Sequence, residues 1–263
     1  MKQMKYSFLL AASLCVAGLS RAQDHGTGHD YKVSVDNSKD ARLILEGFPE
    51  ELTVEGYAGS DVVLGGGVWH SSERARGLKA VYANGVDNTG LAVSMEKDGN
   101  RVTLRCLLPI TQSARYTIKM PESMALEITR DCSRGGGTQI SNMKNEVEFK
   151  GCQDVTLKNV TGPLVVSTIS GSVNVVFTEI SKDKPISIAS ISGEVDVTMP
   201  ARSGFNLEMG TVSGNMYSDF DFPSAKQGDM ERVGGNTIHT KINGGGIDLR
   251  LHSVSGSVYL RKG

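Results

Sequence analysis

From Tyr31 to Lys262 apolar and polar residues alternate in short runs, each ended by Gly, Asn, Asp or Pro. Alternation of period two is the mark of strands with one buried and one wet face. It is plain in YKVSVD, RLILEGF, ELTVEGY, DVVLGGGVW, LAVSMEK, RVTLRCLL and RYTIKM, which fill the chain as far as Met120. Between two of these, KDGN at Lys97 reads as a hairpin turn, because Asp-Gly readily supplies the positive φ angles a tight turn requires. No stretch keeps apolar residues at helical spacing; SSERARGLKAV, residues 71–81, comes nearest.

Beyond Met120 the alternation repeats. Small turns stand at Thr161-Gly162, Ser170-Gly171, Ser192-Gly193, Ser213-Gly214, Asn243-Gly244 and Ser255-Gly256, and the steps between them are near multiples of one half-repeat once an insertion is allowed before Gly244. NMKNEVEF at Asn142 echoes NVTGPLVV at Asn159. A period of about 21 residues, with two strands and two turns in each unit, predicts a stacked coil. One such turn of chain cannot bury its apolar face alone, whereas stacked turns share a core and bond strand to strand at about 4.8 Å. The expected fold is therefore all-β, a single-stranded β-solenoid or β-roll with coils of about 21 residues. It forms one domain over residues 31–263, with irregular first coils in 31–120 and regular coils in 121–263.

Within the coils Val173 and Val175, Val195 and Val197, and Val258 and Leu260 should point inward while Ser172 and Asn174 point out. Ser170, Ser192, Ser213 and Ser255 should occupy comparable turns, each followed by an inward valine or Met216. The glycine is required either for a positive φ or for close approach to the next coil, and the serine hydroxyl can cap the backbone or join a ladder.

Residues 1–22 put Lys2 and Lys5 ahead of an apolar run from Phe8 to Leu19 and end in Ser20-Arg21-Ala22. That order is a secretory signal peptide, and the run is too short for a permanent membrane span. Leu14 stands before Cys15 where a lipidated cysteine would follow a small residue. Residues 23–30, QDHGTGHD, read as a disordered tail. Removal of residues 1–22 takes Lys2, Lys5 and Arg21 from the 28 basic side chains, leaving 25 against 29 acidic ones, net −4. The remaining chain carries no basic field for nucleic acid or anionic membrane and no transmembrane segment. Of the remaining Cys106, Cys132 and Cys152, the last two are spaced by nearly one repeat, so they could be bridged; three buried thiols are the alternative.

Candidate chemistry is sparse. No G-x-S-x-G elbow surrounds the serines, and a residue that recurs at every coil is not placed as a nucleophile is. The triple glycines at Gly65, Gly135 and Gly244 lack the Lys-Ser or Lys-Thr of a phosphate loop. Residues 218–236, SDFDFPSAKQGDMERVGGN, break the rhythm and read as a bulging loop. Within it Asp219 and Asp221 share a face if extended, as paired acids or calcium ligands would, and Asp229 and Glu231 add charge that Lys226 and Arg232 offset. Among the scattered histidines 25, 29, 70, 239 and 252, His25 would stand third after cleavage at Ala22, where a free amine, two amides and an imidazole can wrap Cu(II) or Ni(II). Cyclisation of Gln23 removes that amine. No metal, cofactor or catalytic residue is assigned.

RYTIKMPESMALEI, the repeated [VI]-S-G-x-[VM] turns, the closing SGSVYL and the opening FPEELTVEGYAGSDVVL resemble the bacterial putative-adhesin family. The resemblance runs from about Asp30 to Lys262 and implies an exported β-solenoid domain of unknown function. It implies adhesion without naming a ligand and brings no catalytic residues. The expected function is a non-enzymatic cell-envelope protein, in the periplasm, at the cell surface or secreted, that binds a protein or glycan through exposed β-coil faces. The competing readings are a polysaccharide-acting β-helix enzyme and a periplasmic scaffold or signalling partner.

Overall fold

The computed structural model describes residues 30–35, 40–67, 73–181, 184–222 and 236–263. Residues 1–22, expected to be a signal peptide, nearly all of 23–30, His25, His29, His70, Asp229 and Glu231 lie outside the described residues. What is described is all-β, save a single 3-10 turn at Glu73–Ala75 where the sequence came nearest to a helix.

The chain winds through two ten-stranded sheets, placing one strand of each coil in each sheet. In chain order the coils are β2 (Arg42–Glu46) with β3 (Leu52–Tyr57), β6 (Arg101–Cys106) with β7 (Tyr116–Pro121), β8 (Ala125–Thr129) with β9 (Thr138–Ser141), and β10 (Val147–Gly151) with β11 (Val155–Val160). There follow β12 (Leu164–Thr168) with β13 (Val173–Phe177), β14 (Ile186–Ser190) with β15 (Val195–Met199), β16 (Phe205–Thr211) with β17 (Met216–Ser218), and β19 (Ile247–Ser253) with β20 (Val258–Lys262). Within the stack, strands of neighbouring coils run parallel. The inward row Val155, Val173, Val195, Val258 and Met216 is in register across five strands, and all but the partly buried Met216 are sealed from solvent. The alternation of valines in the sequence is thus the alternation of core and surface.

The coils do not stack in chain order. The first coil, β2–β3, lies between β6–β7 and β8–β9, and the last, β19–β20, lies between β14–β15 and β16–β17. Val195 therefore pairs with Val258, three repeats further on, and Val258 pairs in turn with Met216, two repeats back. The long step from Gly214 to Gly244, which looked like an insertion, includes the return path: β18 (Asn236–Ile242) runs antiparallel on β16 before the chain enters the gap. At the opposite end β1 (Tyr31–Ser34), β4 (Asp61–Gly66) and β5 (Val93–Asp98) add antiparallel strands beyond β7 and β6. Each end coil of the sequence thereby gains neighbours on both sides, which protects it from fraying.

The Ser-Gly corners show why the phrase repeats. Gly171, Gly193, Gly256 and Gly214 have no positive φ; a Cβ on any of them would sit on backbone atoms of the coil below, at Gln153, Gly171, Gly193 and Gly256 respectively. Close approach is the requirement. The capping hydroxyl belongs to the residue three before each glycine, not to the serine beside it. The Ser190 hydroxyl accepts the Gly193 N–H at 2.8 Å and donates to the Gly171 carbonyl at 2.9 Å; that of Ser253 accepts from Gly256 at 2.9 Å and donates to Gly193 at 2.8 Å. Thr168 and Thr211 continue the ladder to Gln153 and Gly256, and all four residues are buried. Each hydroxyl satisfies backbone groups that the corner would otherwise bury unpaired.

Cys132 and Cys152 are bridged, with Cα atoms 5.1 Å apart on adjacent coils, while Cys106 is buried and free. Cys106 Sγ lies 3.9 Å from the Tyr116 hydroxyl, which donates to the Leu91 carbonyl at 2.8 Å. Burial, before any other cause, raises both acids: Cys106 above its ordinary 9.0 and Tyr116, further opposed by Cys106, above its ordinary 10.0. Buried Arg130 clips the first coil to the entry of β9, donating to the Glu50 carbonyl at 2.6 Å, the Gly135 carbonyl at 2.9 Å and Thr138 Oγ1 at 2.8 Å. Burial first, then Arg134, lowers its pKa to about 10.

Three outcomes are expected. Gly193→Ala destabilises by more than about 3 kcal/mol or prevents folding, whereas Gly135→Ala, with nothing near its added methyl, changes the urea midpoint little. Removing the bridge with Cys132→Ser/Cys152→Ser costs about 2–4 kcal/mol in the same measurement. Because folding holds Cys106 and Tyr116 neutral, their contribution is intact below pH 9.0 and is lost as pH rises and the unfolded chain ionises, first at cysteine and then at tyrosine. The urea midpoint should fall above pH 9.0, and Cys106→Ala should remove the first part of that fall.

Candidate functional site

Alternation that buries one set of side chains aligns the other set on the outside. On the sheet containing β3, β7 and β9, one outward row crosses eight strands in register: Thr117, Thr53, Gln139, Thr156, Asn174, Asp196, Tyr259 and Tyr217. At strand spacing such a row is a track of hydroxyl, amide and carboxylate groups about 34 Å long. It ends at β17, where Tyr217 and Tyr259 stack with ring centroids 5.2 Å apart and planes 13° from parallel. Tyr217 is 51% exposed.

Around these rings the polar groups are held in place. Arg261 makes a two-pronged pair with Asp196 at 2.8 and 2.9 Å while its guanidinium lies 5.3 Å from the Tyr259 ring centre. The Tyr259 hydroxyl donates to Glu194 Oε1 at 3.3 Å. Bidentate pairing and cation–π contact fix both side chains, so the end of the track is a preorganised surface of aromatic, amide and charged groups.

A second feature lies along the other corner, where the chain passes back between sheets. Asn142 and Asn159 adopt positive φ, 60° and 56°, and are joined by a 3.1 Å hydrogen bond from Asn159 Nδ2 to Asn142 Oδ1. With Tyr57, Thr178 and the Lys144–Glu122 ion pair at 2.6 Å they line a shallow depression of about 370 Å³. The echo of NMKN and NVTG marks these asparagines in the sequence, since Asn tolerates the left-handed conformation a tight corner imposes. Their assembly with Tyr57 and Glu122 depends on coil order and had no sequence signal.

A third feature is apolar. The residues between the buried hydroxyl and the serine, Ile169, Ile191, Val254 and Val212, come from consecutive coils and are 36–64% exposed. Backbone bonds stack them, Ser192 N–H to the Ile169 carbonyl and Ser255 N–H to the Ile191 carbonyl among others. The serines beside them are exposed as well, at the four comparable turns the repeat predicted.

The paired acids of the 218–236 segment both meet Lys262. Asp219 accepts the Lys262 backbone N–H at 2.7 Å and Asp221 pairs with Lys262 Nζ at 3.3 Å, so both tie the chain after β17 to β20. Residues 223–235 lie outside the described residues. No group of three or more His, Cys, Asp or Glu that could hold a metal ion occurs among the described residues. Gly65 lies near the end of β4, Gly135 in the irregular approach to β9 and Gly244 in the turn between β18 and β19. His239 and His252 stand exposed on β18 and β19, away from the track. No helix among the described residues is long and apolar enough to cross a membrane.

Residues 137–261 match the family profile described as Toastrack DUF4097. Solved structures similar to the chain include a putative cell adhesion protein from Clostridium sporogenes, at 12% identity over 90% of this chain and 100% of that one, TM-score 0.48. Others are a putative adhesin from Bacteroides fragilis, 12% identical over 90% and 97%, TM-score 0.34, and one from Parabacteroides distasonis, 10% identical over 89% and 97%, TM-score 0.33. No curated protein matches the chain. The profile match agrees with the resemblance read from the Ser-Gly turns, to a putative-adhesin family of unknown function.

Proposed function

We propose, for a chain with a Toastrack match over residues 137–261, a non-enzymatic exported protein of the cell envelope that binds an extended protein or glycan on its outer coil face. The observation that carries this reading is the eight-strand polar row ending in the Tyr217–Tyr259 stack. A linear ligand meets similar polar chemistry at every strand spacing, so many weak hydrogen bonds add along one axis. The tyrosines supply rigid contact area at one end, with little side-chain entropy to lose. Export rests on residues 1–22, whose charged, apolar and cleavage-site order suits secretion.

Binding here requires complementarity and no covalent step. Asp196, held by Arg261, presents acceptors whose geometry is set before a ligand arrives, which lowers the entropic cost of association, and Asn174 stands next to it in the row. The test is a pull-down from envelope extract with the purified mature chain. A retained protein or glycan is expected, and the pair Tyr217→Ala/Asn174→Ala should reduce retention about tenfold or more while leaving the circular dichroism unchanged. Retention of nothing, or undiminished retention by the double variant, would overturn the reading.

A further inference from the structure

The most exposed aliphatic side chains among the described residues belong neither to the track nor to the Ser-Gly corner. They are Val81, Val86 and Leu78, at 93%, 77% and 69%, in the excursion between β4 and β5. Tyr82 and Gly85 form an isolated antiparallel bridge with Val81 and Val86 flanking it, and Tyr82 packs against the core while both valines stay exposed. Folding accounts for Tyr82 and leaves the valines standing in water.

The base of this hairpin is pinned. Asp87 accepts the N–H groups of Thr89, Gly90 and Ala92 at 2.9–3.0 Å, and Asn88 exchanges two 2.8 Å bonds with Met95 on β5. Leu107 lies against Gly85 so closely that a Cβ there would meet it at 2.8 Å. The apolar pair therefore stands on a pinned hairpin beside β5, the outermost strand of its sheet. Exposed Arg74, Arg76 and Lys79 accompany it. The segment's one exposed acid, Glu73, is occupied by Arg76 at 2.8 Å, and Asp87 is turned to its backbone partners. Nearby, Glu96 and Asp98 of β5 stand beside Lys97 and Arg101, so the excess of positive charge is local to residues 73–86.

We infer that this hairpin docks the solenoid, by its β5 edge, to an anionic lipid surface, Val81, Val86 and Leu78 entering the interfacial region and Arg74 and Lys79 meeting the headgroups. Charge complementarity selects this occupant, because exposed aliphatic side chains on a segment whose exposed cations outnumber its acids match a negative headgroup layer over apolar chains. The net charge of the whole chain, which is negative, hides this feature: it is a matter of where the cations stand. The hairpin is tied to β5, in the sheet opposite the polar row, so docking through it leaves the row free and this inference does not depend on the proposed ligand binding.

Flotation of the purified mature chain with vesicles tests it. The protein should float with vesicles of phosphatidylcholine containing about one third phosphatidylglycerol and stay behind with phosphatidylcholine alone, and added salt should weaken the binding. Val81→Asp/Val86→Asp should lower partition about tenfold or more, Arg74→Glu/Lys79→Glu should do likewise, and both should keep the wild-type circular dichroism and pull-down behaviour. Failure to float, or equal flotation of the valine variant, overturns the inference. So does a wild-type dimer, without vesicles, that the valine variant converts to monomer, since the face would then belong to a second copy.

Discussion

Everything else in this molecule depends on two coils coming close enough at the Ser-Gly corner for one backbone to rest on the next. A parallel stack fixes strand spacing, so the corner has no room for side chains on its inner side. Gly171, Gly193, Gly256 and Gly214 meet that constraint, each lying over a backbone group of the coil below. The buried hydroxyls of Thr168, Ser190, Ser253 and Thr211 then turn the crowded corner into a hydrogen-bond ladder, reaching the backbone carbonyl of the neighbouring coil and, at Thr168, Ser190 and Ser253, accepting the N–H of their own coil's glycine. Loss of one rung leaves buried backbone groups without partners on two coils at once.

This constraint also explains the distribution of chemistry. Because one face of every strand must be apolar and every corner must be tight, only the outward-facing positions of strands and corners are open to other chemistry. The outer row has become a polar track with an aromatic end, and the excursion between β4 and β5, released from the stack, carries exposed cations and aliphatics. Asp219 and Asp221, which looked like candidate acids, serve the stack by holding the chain after β17 to Lys262.

Intercalation of the first and last coils gives each of them neighbours on both sides. In a solenoid stacked in chain order, the terminal coils would each have one free side; here β2–β3 and β19–β20 are flanked on both sides, antiparallel strands extend the sheets beyond β6, β7 and β16, and β17 ends its sheet among the described strands. The disulfide between Cys132 and Cys152 and the Arg130 clip to Glu50 add ties across coils near the junction of the irregular and regular parts.

Alternation of period two and a phrase repeated about every 21 residues determined the all-β class, the coil, the inward valines and the positions of the turns. These are local properties: side-chain direction in a strand and the need for glycine at a crowded corner are written residue by residue. Even the Cys132–Cys152 pairing was legible as a possibility, because stacked positions differ by one repeat. Tertiary structure alone decided which coil lies on which, since any two coils separated by whole repeats offer the same register. It therefore decided that Tyr217 stacks on Tyr259 from two repeats away, that Asn142 and Asn159 share a depression with Tyr57, and that a buried Ser190, not Ser192, caps the corner. A periodic sequence specifies the unit well and the order of units poorly, because the energy of pairing depends on the side chains each coil presents, which are nearly alike.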